Sequence, residues 1–281
     1  MQNKTAPFFT LIAGALVFSS AFQTSMADGA FNSKMPEIAG KAERGYLADF
    51  ELPDSLALLP LPPAEGSAAF ALDLTYSQKS FALRETPAWA LAIQDADLSF
   101  PNAAGTYACA LGVPVDQQHT PHLFKLLKKV KQDAGAATGA AKNHYMRHRP
   151  FMVNGAPLCT PDERAHLEAN GSYPSGHNAI GMTWGLILAE IAPAQANAIL
   201  ARAQSYGLSR VMCNAHWYSD TLWGRYLAAY TVAKLHADSR FLDDLSDAKH
   251  ELEDEREEGL PPNRDCVAER LGMEAQQSLT Q

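Results

Sequence analysis

Stretches in which apolar and polar residues alternate are scarce in this chain, and that lack of a two-residue period constrains its fold more than any other feature. Segments rich in Ala, Leu, Met, Gln, Lys and Glu dominate instead, so the expected class is all-α, a single-domain helical bundle. The pattern predicts helix over residues 67–98 with a break near Pro87. Thr120-Pro121 reads as an N-cap followed by proline at the first helical position. Leu123, Phe124, Leu126, Leu127 and Val130 then form one apolar stripe, with Lys125, Lys128, Lys129 and Lys131 on the wet face. Residues 140–149 continue as helix until Pro150 stops it. Further helices are expected from the Pro174-Ser175-Gly176-His177 segment to residue 191, over 193–206 up to an interruption at Gly207, and over 214–235. Residues 53–63, with Pro53, Pro60, Pro62 and Pro63, read as a loop, as do residues 151–172. Residues 259–281, with Pro261 and Pro262, read as an irregular extension.

The chain has 281 residues, 47% of them hydrophobic, which suits one good-sized domain. The first 27 stand apart. Lys4 precedes a mostly apolar run over residues 6–22, and Ser25-Met26-Ala27 carries small residues at both ends of a three-residue motif. This is the layout of a secretory signal peptide cut after Ala27. A membrane anchor is the weaker reading, since the run is short for a bilayer span and no basic stop-transfer segment follows. The expectation is a periplasmic or secreted protein with no membrane segment after cleavage. It divides into a signal peptide (1–27), a main domain (28–242), and an acidic helix with the irregular extension (243–281).

Export bears on Cys109, Cys159, Cys213 and Cys266. None sits in a CxxC pair, so zinc-site spacing is missing. In an oxidising compartment they form up to two disulfides in any of three pairings, with free buried thiols as the alternative. Residues 243–258 hold nine acidic and two basic side chains, so nearly all of the net charge of −8 sits there. The segment reads as a solvated helix face and argues against nucleic acid as a partner.

Three short segments carry chemistry. The first holds Lys142 and, seven positions on, Arg149-Pro150. The second is Pro174-Ser175-Gly176-His177. The third is Ser209-Arg210, with His216 six positions after the arginine and Asp220 four later. Lys142, Arg149 and Arg210 are three cations suited to one tetrahedral oxyanion, the arginines through their planar forks. Gly176 lets backbone approach closely, Ser175 offers a hydroxyl, and a helix opening at His177 turns its first N–H groups toward the same anion. His216 and Asp220, four apart, share a face if both lie on a helix. The carboxylate then takes the Nδ1 proton and leaves the Nε2 lone pair toward substrate, an arrangement suited to attack on phosphorus. His177 is the candidate acid for the leaving oxygen. No HExxH or similar cluster appears, so the expected chemistry needs no metal and no cofactor.

These segments resemble the signature of the phosphatidic acid phosphatase type 2 and vanadium haloperoxidase superfamily, K-x6-RP, PSGH and SR-x5-H-x3-D, with every position filled. Residues 142–147, 171–177 and 207–217 look like the bacterial class A non-specific acid phosphatases, as does the proline-rich stretch 56–63. The resemblance covers residues 45–245. It implies an all-α fold with the site at the ends of a central bundle. It also implies a phosphohistidine intermediate: His216 as nucleophile, Asp220 as its partner, His177 as acid, and Lys142, Arg149, Ser175, Gly176 and Arg210 around the phosphate. Small phosphomonoesters are the expected substrates, hydrolysed with broad specificity and an acidic optimum, and a homodimer is an expectation from the family. Asn178, His148, Asn214, Leu222 and Trp223 depart from the family pattern and bear on substrate preference and pH optimum. His148, between Arg147 and Arg149, is a further candidate for touching substrate.

Rival readings are a vanadate-dependent haloperoxidase, a membrane lipid phosphatase, a non-catalytic phosphate-binding protein, and a specialised phytase or nucleotide phosphatase on the same site. The lipid phosphatase needs several spanning segments, which are missing after residue 27. A binding protein has no use for the His216–Asp220 pair. With unperturbed histidine titrating at about 6.5, a neutral His216 and a charged His177 give a bell-shaped, mildly acidic profile.

Overall fold

The computed structural model describes residues 44–279, and every regular element among them is helical. The expected signal segment lies outside the described residues. Asp54 accepts from the Leu56 and Ala57 N–H groups and starts α1 (Ser55–Leu58), one helical turn inside the segment expected as loop. Ser67 caps α2 (Ala68–Ser80), and Pro87 opens α3 (Pro87–Ala96) as its first residue. Next come α4 (Ala108–Leu111), α5 (Pro121–Ala136) and α6 (Gly139–Tyr145), which ends with Met146 in the left-handed region. Pro150 does not stop a helix there; it begins α7 (Pro150–Asn154), with Arg149 at the N-cap. The following loop contains α8 (Arg164–Glu168).

The centre is α9 (Gly176–Ile191), which packs against α5, α10 (Ala196–Met212) and α11 (Tyr218–Leu235). Its Ile180, Trp184, Ile187 and Leu188 are buried beside the expected α5 stripe of Leu123, Leu126, Leu127 and Val130. A helix apolar on nearly all sides belongs in the interior. Gly207 does not interrupt the chain but lies inside α10. A Cβ there would fall 2.0 Å from Asn178 Oδ1, and one at Gly224 of α11 would fall 2.5 Å from the Ser175 carbonyl oxygen. These glycines let α10 and α11 close on the start of α9, where the second motif lies.

The acidic segment forms α12 (Ser239–Glu258) and is not merely a solvated face. Phe241, Leu245, Ala248 and Leu252 make a buried stripe, while acidic residues engage α5. Asp244 takes Lys125 Nζ at 2.8 Å and Lys129 Nζ at 2.9 Å. Glu251 accepts the His122 and Leu123 N–H groups at 2.9 and 2.8 Å. It therefore caps α5 in place of Thr120, whose hydroxyl donates toward the Pro114 and Asp116 carbonyls. Two of the lysines assigned to solvent thus sit in a helix–helix interface.

Residues 259–281, expected as irregular, contain α13 (Cys266–Gln276), started by Asp265 accepting from Val267 and Ala268 N–H. Disulfides join Cys109 to Cys266 and Cys159 to Cys213. The first ties α13 to α4, and Gly272 of α13 lies against Leu91 of α3. Residue 242 is therefore not the edge of the folded body, because α12 and α13 both pack into it. No helix among the described residues is long and apolar enough to cross a membrane.

Gly207→Ala gains about 1 kcal/mol of helix propensity but forces overlap with Asn178, at about 1–3 kcal/mol. The expected net result is a lower urea midpoint. Activity falls as well, because Asn178 also holds Ser175.

Candidate active site

The site forms where the start of α9, the end of α10 and the start of α11 meet the segment between α6 and α9. Ser175 caps α9, its oxygen accepting from Asn178 N at 3.4 Å and Asn178 Nδ2 at 3.0 Å. Its own N–H donates to the Asp220 carbonyl at 3.0 Å. Both bonds leave the Ser175 hydroxyl hydrogen free for an acceptor in the site. A Cβ at Gly176 would meet only Lys142 Cε and Thr138 Oγ1, each at 3.9 Å. Protein packing alone does not demand glycine there.

Two of the three cations, Lys142 and Arg149, are held by backbone carbonyls. Lys142 donates to Gly171 O at 2.6 Å. Arg149 donates through Nε to Leu167 O and Asn170 O at 2.8 and 3.1 Å, and through Nη1 to Ala215 O at 3.0 Å. Its Nη2 reaches Asn170 Oδ1 and Gly171 O at 3.3 and 3.4 Å. Arg210 differs. It is completely buried, and none of its three guanidinium nitrogens has a hydrogen-bond partner. An uncompensated buried cation costs several kcal/mol, and here all five of its N–H donors await an acceptor.

His216 does not lie on α11, as the four-residue spacing suggested. It sits in the turn before the helix, and Asp220 occupies the helix's first turn. The pair still meets, Nδ1 to Oδ2 at 3.4 Å. Ser172 stands between them, 3.3 Å from His216 Nδ1 and donating to Asp220 Oδ2 at 2.5 Å. Arg149 Nη1 lies 3.0 Å from His216 Nε2. A guanidinium only donates, so Nε2 holds the lone pair and Nδ1 carries the proton. The N–H groups of Ala215 and His216 both donate to Arg210 O, which ties the turn to α10. Asn214, where glycine is common in the resembling family, has φ +61 and supplies this left-handed turn, its amide bonded to Asn154 and the Ala156 carbonyl. The Cys159–Cys213 disulfide holds the same turn.

His177, on α9, lies 2.9 Å from the Ala96 carbonyl through Nε2. That nitrogen carries a hydrogen, leaving Nδ1 to give or take a proton. Burial, then the Arg210 charge, pushes His177 well below the ordinary histidine range. Burial, then Arg149, Lys142 and Arg210, does the same to His216. Burial and the two arginines bring Lys142 down to about 7. The eight residues singled out in the sequence come together in one electropositive place, six of them buried and Gly176 and His177 half-buried, and the unperturbed histidine value assumed from sequence does not hold for either ring.

Arg147, Ser172, Asn170 and Asp73 complete the surroundings and were not singled out. Arg147 Nη1 donates to Asp220 Oδ1 at 2.6 Å and its Nη2 to Asp73 Oδ2 at 2.7 Å. Arg147 lies inside the first motif and Ser172 just before the second, both within the stretches that carry the family resemblance; nothing in the sequence connects Asp73 to the site. His148 exposes its side chain, and its carbonyl accepts the Trp217 indole N–H at 2.8 Å.

Residues 133–241 match the family model described as PAP2 superfamily. The chain is 41% identical over 210 residues to the acid phosphatase of Zymomonas mobilis subsp. mobilis, covering 75% of this chain and 80% of that one. It is 40% identical over 241 residues to the non-specific acid phosphatase of Providencia stuartii, covering 85% and 94%. Against the non-specific acid phosphatase of Salmonella typhimurium the identity is 37% over 197 residues, 70% and 79% of the two chains.

Arg210→Met removes a buried charge that no hydrogen-bond acceptor of the protein offsets, so the melting temperature of the unliganded protein rises. Inorganic phosphate stabilises the wild type, by about 2.7 kcal/mol at one hundred times Kd, and leaves the variant unmoved. Thermal melts with and without phosphate check both halves.

Proposed function

This chain belongs to the PAP2 superfamily, among the bacterial non-specific acid phosphatases, and from that premise we propose that it hydrolyses phosphate monoesters in two steps through a phosphohistidine at His216. It is an acid phosphatase; the intermediate, the breadth of substrate and the residue roles are our reading. The observation that carries the reading is the fully buried Arg210, with three unpartnered nitrogens, beside a histidine whose Nε2 lone pair is held only by the Arg149 guanidinium.

Substrate phosphate oxygens take the donors of Lys142, Arg149 and Arg210, the Ser175 hydroxyl and the Gly176 N–H. Arg149 Nη1 leaves His216 Nε2 for a phosphate oxygen, so binding itself frees the nucleophile. Nε2 then forms a bond to phosphorus as the ester P–O bond breaks, and His177 Nδ1 gives its proton to the leaving oxygen. The charge that grows on the His216 ring is met by Asp220 directly and through the Ser172 hydroxyl. In the second step water attacks the phosphorus, His177 takes its proton, and phosphate leaves with His216 restored. Three cations offset the charge of the transferring group, which supports a reaction without a metal. The two disulfides fit an oxidising compartment and support export to the periplasm or beyond.

The depressed histidines also account for an acidic optimum. His216 stays neutral well below its ordinary range, so the acid limb lies low. His177 must be charged, yet its burial and the neighbouring cations oppose that charge. A bound phosphate dianion reverses that field and restores its proton.

His216→Ala abolishes hydrolysis of an aryl phosphate in EDTA, while the wild type keeps its rate. Rapid quench of the wild type traps acid-labile phosphoenzyme. Activity in the variant, or loss of wild-type activity to EDTA, overturns the mechanism. In the wild type, kcat/KM falls with rising pH before kcat does, because only the complex holds His177 charged. Coincident alkaline limbs contradict the substrate-assisted protonation. His177→Ala loses about 10²–10⁴-fold on alkyl esters, which need an acid, and far less on aryl esters with acidic leaving groups.

A further inference from the structure

Behind Asp220 runs a chain of charges that the mechanism above does not use. Asp73 of α2 is almost fully buried, and both of its oxygens are engaged. Oδ1 accepts the Ser219 N–H at 2.7 Å; Oδ2 accepts the Ser219 hydroxyl and Arg147 Nη2, each at 2.7 Å. Arg147 passes the contact on, donating through Nη1 to Ser219 Oγ at 2.8 Å and to Asp220 Oδ1 at 2.6 Å. Asp220 Oδ2 then faces Ser172, the Trp217 N–H at 2.9 Å and His216 Nδ1. From α2 to the turn before α11 the order is anion, cation, anion, imidazole.

We propose that Arg147 and Asp73 are positioning residues of the reaction, an ion-pair chain that fixes which oxygen Asp220 turns to His216 and how much negative charge it presents there. The proposal rests on His216 being the nucleophile. Each link is physical. A carboxylate with Oδ1 locked by a guanidinium has one orientation, and that orientation puts Oδ2 toward the ring. Arg147 alone would draw off much of the charge of Asp220 and weaken its hold on the imidazolium that forms during attack. Asp73 neutralises Arg147 from the far side and leaves Asp220 its effect. A latch serving only to dock α2 on α11 would be at least as stable in apolar residues, since burying three charges costs more than their pairing commonly returns.

The charges around His216 are of both signs. Arg149 and Lys142 come from the segments before α9, Arg210 from α10, His177 from α9 and Asp220 from α11; Arg147 and Asp73 are the next ones out. Against that background the two variants have opposite signs. Arg147→Gln removes a cation and eases protonation of His216, so the acid limb of kcat/KM moves to higher pH, by about half a unit or more. Asp73→Asn removes an anion, so the limb moves to lower pH. Both lower kcat, by about 10- to 100-fold as for other groups that orient a reacting ligand, with little change in KM because neither touches phosphate. Arg147→Lys keeps the charge and the wild-type limb.

The experiment is the pH dependence of kcat/KM and kcat for these three variants on an aryl phosphate, with histidine NMR titration of His216 beside it. The phosphate-induced rise in melting temperature checks that each variant is folded. Opposite shifts for Arg147→Gln and Asp73→Asn, with Arg147→Lys unmoved, are the expected result. Unmoved limbs, or shifts of the same sign, overturn the proposal and leave the chain a structural latch. If Asp73→Asn does not fold, the contrast between Arg147→Gln and Arg147→Lys decides by the same criterion. His216→Ala runs in parallel: activity there overturns the nucleophile assignment, whereas an inactive His216→Ala with unmoved limbs overturns only the charge chain.

Discussion

Holding Lys142, Arg149 and Arg210 side by side out of water is the constraint around which the rest of this molecule is arranged. Like charges in a buried space repel, and each also loses its hydration. The fold answers with backbone carbonyls of residues 167–171 and 215 for two of the three and with one buried carboxylate, Asp220, at the edge of the group. Of the three, Arg210 alone has no hydrogen-bond partner on any guanidinium nitrogen. Burial, and after it the same excess of positive charge, holds both histidines well below their ordinary range.

Such an arrangement holds only on a rigid frame. The start of α9 is clamped between α10 and α11 because Gly207 and Gly224 bring those helices to within direct contact of Asn178 and the Ser175 carbonyl. The His216 turn is fixed from three sides: by Arg210 O, by the left-handed Asn214, and by the Cys159–Cys213 disulfide. These devices explain two departures from the resembling family's pattern. Asn214 does the conformational work of a glycine, since asparagine tolerates the left-handed region, and adds hydrogen bonds to α7. Asn178 gives Ser175 an amide partner that also reaches Gly207 O.

Charge elsewhere in the chain proved structural where composition suggested solvent. Asp244 and Glu251 of the acidic helix pair with lysines of α5 and cap its N-terminus. A run of acidic residues looks the same in sequence whether it faces water or a lysine-bearing helix, because the pattern records only which face is polar. The helical C-terminal segment escaped for a related reason. Pro261 and Pro262 mark a break, but α13 beyond them is stabilised by a disulfide to α4 and packing on α3, contacts with residues far back in the chain.

The amino-acid sequence by itself determined the helical class and the α5 stripe, and it singled out the eight residues that the fold brings together, because helix period and motif spacing are local properties. It located the starts of α2, α5 and α9, yet misjudged Gly207 and Pro150, since glycine serves close packing as well as breaks and proline opens helices as readily as it ends them. Only the tertiary structure decided that His216 stands in a turn rather than on a helix, that Arg210 is unpartnered, and that Asp73, Arg147 and Ser172 stand behind Asp220. Each of those depends on which distant segments meet, and on the burial that strengthens electrostatic interactions once water is gone. Pairwise spacing along a chain carries neither.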